Sequence, residues 1–218
     1  MNIAIDGPAG AGKSTVAKRV AGELGMIYVD TGALYRAIAL YLLNHAIDGD
    51  DEQAVEAALK GIRIEMKHDA EGQHILLNGD DVTGNIRTEA VGNMASKTSA
   101  YGAVRAKLLS LQQDIAKEND VVMDGRDIGT TVLPGAEVKI FLTASVEVRA
   151  KRRYDELTAK GETCDFDRIA ADIAARDEQD RTRALSPLKQ AEDAYLLDSS
   201  GFTIDEVVAE IIARTKAA

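Results

Sequence analysis

Gly7, Gly12, Lys13 and Ser14 fall at the spacing G-x-x-x-x-G-K-S inside "IAIDGPAGAGKSTVAKRVA", residues 3–21. Glycines at these positions let backbone N–H groups turn inward and approach anionic oxygens with no Cβ in the way. A helix opening at the end of the loop adds partial positive charge. In such a pattern the lysine reaches the β- and γ-phosphates, and the Ser14 hydroxyl ligates Mg²⁺. The loop is expected to hold a nucleoside triphosphate. That defines a phosphoryl donor and not yet a reaction, because GTPases, transport ATPases, helicases and small-molecule kinases share the cradle.

Other charged groups point to a second anion. In "DTGALYR" Arg36 lies about one turn inside a helix whose N-terminus forms around Thr31 and Gly32, so an anion there would meet N–H groups and a guanidinium together. In "VVMDGRDIGT" Asp124 closes an apolar strand, the place of a carboxylate that orients Mg²⁺ through water. Arg126 and Asp127 follow at the carboxyl edge of the sheet, where open α/β folds bind ligands. In "ARDEQDRTR" Arg176, Asp180 and Arg183 are spaced i, i+4, i+7 and share one helix face. In "VRAKRRYDELTAKG" Arg149, Arg152 and Arg153 precede a glycine-containing loop, as a mobile cover over phosphates would.

Three of these have a plainer reading: Arg36 as a solvated helix residue, Arg126–Asp127 as a surface pair in a turn, and the "ARDEQDRTR" run as an ion-paired solvated face. Taken together, two phosphate sites under a cationic cover suit an enzyme that phosphorylates a nucleotide. Lys13, Arg126, Arg152 and Arg176 are then expected to neutralise the transferring phosphoryl group.

The elements that must position these groups are legible in the hydrophobic pattern. "NIAID", "MIYVD", "DVVMDG", "VKIFLTA" and "AYLLD" read as strands, the central ones apolar throughout as in a doubly covered parallel sheet. Between them helical patterns run over Ser14–Leu24, from an N-cap at Thr31 through about Asn44, and over "DDEQAVEAALKGI". Others run from about Arg87 to Lys117 with a break near Tyr101 and Gly102, from Ser145 to near Gly161, over Asp165–Arg183, and over "TIDEVVAEIIARTK". "IRIEMKH" and "QHILLNG" alternate and are joined by "DAEG", which predicts a hairpin with one wet face inserted into a parallel α/β sheet.

Composition narrows the setting. With 218 residues the chain can bury one full core, and a net charge of −10 argues against a general nucleic-acid binder. The one cysteine, Cys164, has no partner for an intramolecular disulfide, which fits a reducing compartment. Asp6 interrupts the first apolar run, so no signal peptide is expected, and no apolar stretch approaches membrane-spanning length. A cytoplasmic monomer that binds neither membrane nor nucleic acid is the expectation. His45, His68 and His74 show no metal-ligand spacing and are expected to be structural or solvated.

The order G-P-A-x-x-G-K-S, D-T-G-A-x-Y-R, D-G-R-D-I-G-T, then R-D-x-x-D-x-x-R with S-P-L close behind, resembles bacterial cytidylate kinases over essentially the whole chain. The resemblance implies a P-loop nucleoside-monophosphate-kinase fold: a parallel β-sheet core flanked by helices, a small antiparallel insertion and a helical lid. It implies a core of about 1–30, 106–150 and 184–218, an NMP-binding segment of about 31–105, and a lid of about 151–183. Members transfer the γ-phosphate of ATP to CMP or dCMP with Mg²⁺. Carried over by position, Gly7, Pro8, Ala9, Gly10, Ala11, Gly12, Lys13, Ser14 and Thr15 would hold ATP. Arg36 and Arg126 would clamp the acceptor phosphate, and Thr31 stands where some members have serine. Ser96, Arg105 and Arg183 match positions that recognise cytosine, Arg176 and Asp180 positions near the pentose, and Asp127 a further substrate-side residue. Gln179 stands where some members carry a basic residue.

A guanidinium aimed at O2 and N3 of cytosine would meet two acceptors, whereas uracil carries a proton at N3. A buried donor left unpaired costs about 1–3 kcal/mol, one or two orders of magnitude in discrimination. Rival readings are a P-loop kinase acting on AMP, UMP or shikimate, a GTP-dependent switch, and a nucleic-acid motor or transport ATPase. The N-K-x-D and L-S-G-G-Q stretches that the last two would carry are absent, and "DVTG" reads as a hairpin turn.

Overall fold

In chain order the elements are β1 (Asn2–Asp6), α1 (Lys13–Leu24), β2 (Ile27–Asp30), α2 (Thr31–Asn44), α3 (Glu52–Ala58), β3 (Ile64–Asp69), β4 (Gly72–Leu77), β5 (Asp80–Asp81), α4 (Glu89–Thr98), α5 (Gly102–Glu118), β6 (Val121–Gly125), β7 (Val138–Thr143), α6 (Val146–Ala159), α7 (Phe166–Thr182), β8 (Tyr195–Asp198) and α8 (Ile204–Thr215). A 3₁₀ turn (Leu59–Gly61) follows α3, and a single π-helical turn (Ile128–Val132) follows β6. This computed structural model describes residues 1–69 and 72–217. Of the "DAEG" link, Ala70 and Glu71 lie outside the described residues. The chain divides into two units, one of residues 1–26 with 121–218 and one of residues 27–120.

In the first unit β6, β1, β7 and β8 lie side by side in that order, all parallel. The apolar runs are continuous because these strands are covered: Ile3, Ala4, Ile5, Val121, Val122 and Met123 are fully buried. Helices flank the sheet, with α1 packed on β6 and on α8. Each fully buried Ile, Val or Met side chain in these strands contributes about 1.5–3 kcal/mol. Pairing Asp6 with Gly125 and with Phe141 aligns the carboxyl ends of three strands, so the segments after β1, β6 and β7 leave the sheet at one edge. "TIDE" forms a capping box, Thr203 Oγ1 accepting from the Glu206 N–H and the Glu206 carboxylate accepting from the Thr203 N–H.

The second unit has its own core, in which Leu34, Ile38 and Leu42 of α2 pack with Ile75, Ile86, Val104 and Leu108. Its antiparallel sheet has three strands in the order β3-β4-β5, one more than the predicted hairpin. The turn between β4 and β5 is Asn78–Gly79, both at positive φ. "DVTG" is therefore not that turn: Asp81 ends β5, and Thr83 folds back so that its N–H and hydroxyl donate to the Asp81 carboxylate.

Two further expectations are corrected. The N-cap of α2 is Asp30, not Thr31: Asp30 keeps extended backbone and its carboxylate accepts the Ala33 N–H at 3.0 Å, while Thr31 is already helical and buried. Arg183 stands just past α7 as its C-cap, so the i, i+4, i+7 face of that run ends before its last member.

Candidate active site

The two glycines of the spacing, Gly7 and Gly12, sit at positive φ, and so does Gly10 between them. Gly7 leaves no room for any side chain, since a Cβ there would lie 1.9 Å from the Leu142 carbonyl oxygen. Gly12 caps α1, so no cap side chain competes for the N–H groups of its first turn. Lys13 is buried and donates to the Pro8 carbonyl at 2.8 Å, and the Ala11 N–H closes the same turn onto that carbonyl at 3.4 Å. Burial first, and the nearby Arg126 charge second, pull the Lys13 ammonium down to about 7. The Asp124, Asp6 and Asp180 carboxylates act in the opposite direction and only partly offset this. Ser14 Oγ donates to Asp124 Oδ2 at 3.0 Å, so the two residues expected around a metal ion touch. Thr15 is exposed on α1.

Beyond β6 the charges alternate. Arg126 Nε donates to Asp180 Oδ2 at 2.8 Å, and the Arg183 guanidinium lies 3.6 Å from Asp180 Oδ1 and 3.5 Å from Asp127 Oδ1. Asp127, Asp180 and the Arg183 side chain are each 5–8 % exposed, which excludes the solvated-face reading for them. Arg183 Nε also donates to the Ser186 carbonyl, and the Leu188 N–H to the Asp180 carbonyl, so "SPL" fastens the end of α7. Arg176 is half-buried one turn earlier on α7, and Gln179 is exposed there.

The arginines of α6 have separate fates. Arg149 is no mobile cover: it is 3 % exposed and forms a two-pronged ion pair with Asp177 of α7. Its guanidinium also donates to the Ala9 and Ala144 carbonyls, at 3.0 and 2.8 Å. Arg152 is exposed and reaches the Ser199 carbonyl at 2.9 Å, while Arg153 pairs with Glu156 on the surface. Cys164 is half-buried, its Sγ 3.7 Å from Thr158 Oγ1.

In the second unit Arg36 folds back over the first turn of α2. Its Nη1 lies 3.9 Å from Asp30 Oδ2, and 3.2 Å from where a Cβ on Gly32 would sit. The same carboxylate oxygen accepts from Arg87 at 2.7 Å. Arg105 of α5 donates to the Ser99 carbonyl and covers the Tyr35 ring at 5.6 Å, and Ser99 Oγ donates to the Ser96 carbonyl, so Ser96 and Arg105 come together through Ser99. The antiparallel sheet braces β2: Gln73 accepts the Asp30 N–H at 2.7 Å and donates to its carbonyl, and His68 Nε2 is 2.8 Å from the Tyr28 carbonyl. His74 bridges Asp81 and Asp69, its hydrogen bond to Asp81 above all raising its pKa. His45 stacks on Tyr41. The three histidines thus serve local structure.

Sequence reasoning missed Asp6, Tyr35 and Asp177. Asp6 is buried, and its two carboxylate oxygens accept the Ile128 and Gly129 N–H groups, each at 2.7 Å. Burial raises its pKa to about 6 against the lowering effect of those bonds. The signal was present: a charge closing an otherwise apolar strand must find partners.

The profile of the cytidylate kinase family matches residues 3–217. A cytidylate kinase of Bacillus pumilus (strain SAFR-032) is 52% identical over 212 residues, 97% of this chain and 94% of that protein. One from Shouchella clausii (strain KSM-K16) is 49% identical over 215 residues, 99% of this chain and 96% of that protein. Among solved structures, an uncharacterized protein from Eubacterium ventriosum ATCC 27560 matches at a TM-score of 0.55 and 11% identity, over 100% of this chain and 99% of that one, a likeness of fold alone. With a family match over residues 3–217, and relatives half identical along nearly their whole length, the chain belongs to the cytidylate kinase family.

Proposed function

We propose that this chain transfers the γ-phosphate of ATP to CMP or dCMP, giving ADP and CDP or dCDP. The observation that carries the reading, beside family membership, lies within the first unit. A glycine loop with a buried lysine adjoins a carboxylate–guanidinium cluster close enough for the Arg126 charge to act on Lys13. Gly7 to Thr15 take the triphosphate, whose negative charge favours the ammonium form of the buried Lys13. Ser14 Oγ and Asp124 Oδ2 are hard oxygen donors in contact and fit Mg²⁺, which when bound offsets charge on the β- and γ-phosphate oxygens.

Arg126, Arg152 and Arg176 then neutralise charge on the equatorial oxygens as an acceptor phosphate oxygen attacks and ADP leaves. The acceptor is already an oxyanion, so positioning and neutralisation replace a general base. Arg36 and Arg126 hold the acceptor phosphate, with Thr31 beside it. Ser96, Arg105 and Arg183 read the base, Arg176 and Asp180 the pentose, and Asp127 completes the substrate side. Residues of about 31–105 act as the NMP-binding segment and about 151–183 as a lid, in a monomer.

ADP formation from Mg·ATP with CMP, dCMP, UMP, AMP, GMP and shikimate offered separately tests this. Turnover with CMP and dCMP far above the others is expected. Turnover with another acceptor would overturn Ser96, Arg105 and Arg183 as cytosine readers while keeping the donor cradle.

A further inference from the structure

We propose that Asp6 is a positioning residue for the acceptor side of the reaction, holding the backbone that carries Arg126 and Asp127. The proposal rests on the kinase reading above and deepens it. Asp6 is the last residue of β1 and the one immediately before Gly7. Its backbone is set by the ladder with Gly125 and Phe141, which leaves the carboxylate available for something else. That carboxylate accepts two charge-assisted hydrogen bonds, from the N–H groups of Ile128 and Gly129 at 2.7 Å each. These are the first two residues after Asp127, in the π-helical turn that follows β6. One side chain thus grips, from 122 residues away, the chain just beyond the two residues given to the acceptor.

The grip is tight on its far side as well. A Cβ on Gly129 would sit 3.4 Å from Asp6 Oδ2 and 3.1 Å from the Lys139 side chain, so the turn is held between an anion and an alkyl wall. Lys139 is itself fixed, donating to the Pro134 carbonyl and to both carboxylate oxygens of Asp193. The first N–H groups of a helical turn have no acceptor within the turn, so an external acceptor decides where they point. Asp127 precedes that turn directly and its side chain meets Arg183 at 3.5 Å, while Arg126 meets Asp180 at 2.8 Å. Displacing the turn moves both contacts together.

Asp6→Asn tests the assignment. The amide oxygen can accept one N–H, but the NH₂ group faces the other as donor against donor. Michaelis constants are measured for ATP and for whichever acceptor the unaltered chain turns over, so a wrong choice of CMP leaves the test standing. The KM for the acceptor should rise at least tenfold, and at least five times more than that for ATP. Equal changes in both constants, or none, would overturn the assignment. If Asp6→Asn does not fold, Gly129→Ala decides on the same criterion, since its added methyl would stand between the turn and the two groups it packs on, 3.4 Å from Asp6 Oδ2 and 3.1 Å from the Lys139 side chain.

Discussion

Arg149 and Asp177, 28 residues apart on two helices, face each other through paired hydrogen bonds of 3.0 and 2.6 Å, with both side chains 4 % exposed. Removing one partner of such a pair leaves a buried charge uncompensated, which costs about 3–5 kcal/mol, whereas replacing both by apolar groups often costs little. Asp177→Ala should lower the unfolding free energy by that amount in urea titrations, and Arg149→Met with Asp177→Leu should recover most of it. A loss below about 1 kcal/mol in the single variant would show that the pair is not the clamp it looks like. Arg149 also holds the Ala9 carbonyl, so Arg149→Met should weaken ATP binding too.

Two loop glycines should respond differently to the same substitution. At Gly7 a Cβ meets backbone at 1.9 Å, whereas at Gly12 it would face open space. Gly12→Ala carries only the strain of its positive φ, about 1 kcal/mol, whereas Gly7→Ala must displace β7 or the loop and should lose 3 kcal/mol or more. Melting temperatures of the two variants decide it, and similar shifts would contradict the geometry.

The Asp6 carboxyl has a signed effect on stability. Its folded pKa, about 6, lies above the ordinary 3.8, so the folded state binds its proton before the unfolded chain does. The contribution of this group therefore becomes more favourable as pH falls from about 6 towards 4, and levels off above 6. Asp6→Asn has no such proton. The stability of the unaltered chain minus that of the variant should grow between pH 7 and pH 4 in urea titrations. A pH-independent difference would refute the shift.

Gln73 satisfies both backbone groups of Asp30, the residue that also caps α2. Gln73→Leu leaves a backbone donor and acceptor unpaired and should cost about 1–3 kcal/mol in unfolding free energy. Measured beside it, His68→Leu, which removes one contact to Tyr28, should cost less. The reverse order would mean that the antiparallel sheet braces β2 mainly through His68.

The Arg183 side chain is buried between Asp127 and Asp180. Arg183→Met should raise the KM for CMP ten- to a hundredfold and that for ATP far less, as loss of a base-reading donor requires. Unchanged CMP kinetics would remove Arg183 from the acceptor site.

The local sequence determined most of the elements and the donor loop. Period-3.6 and continuous apolar patterns depend on neighbours a few residues apart, and the G-x-x-x-x-G-K-S loop carries its own backbone requirements, so both were legible in order. Tertiary structure decided the rest. Whether Thr31 or Asp30 caps α2 turns on one residue's backbone angles at the end of a strand, and adjacent Thr and Asp are both good caps. Three arginines in "VRAKRR" look alike in sequence, yet one is buried against Asp177 and two are exposed, because which face of α6 is covered depends on α7 and on the loop after β1. Asp6 finds its partners 122 and 123 residues away. A charge in an apolar strand announces that partners exist, and only the folded chain says which, because burial and long-range hydrogen bonds are properties of packing and not of spacing.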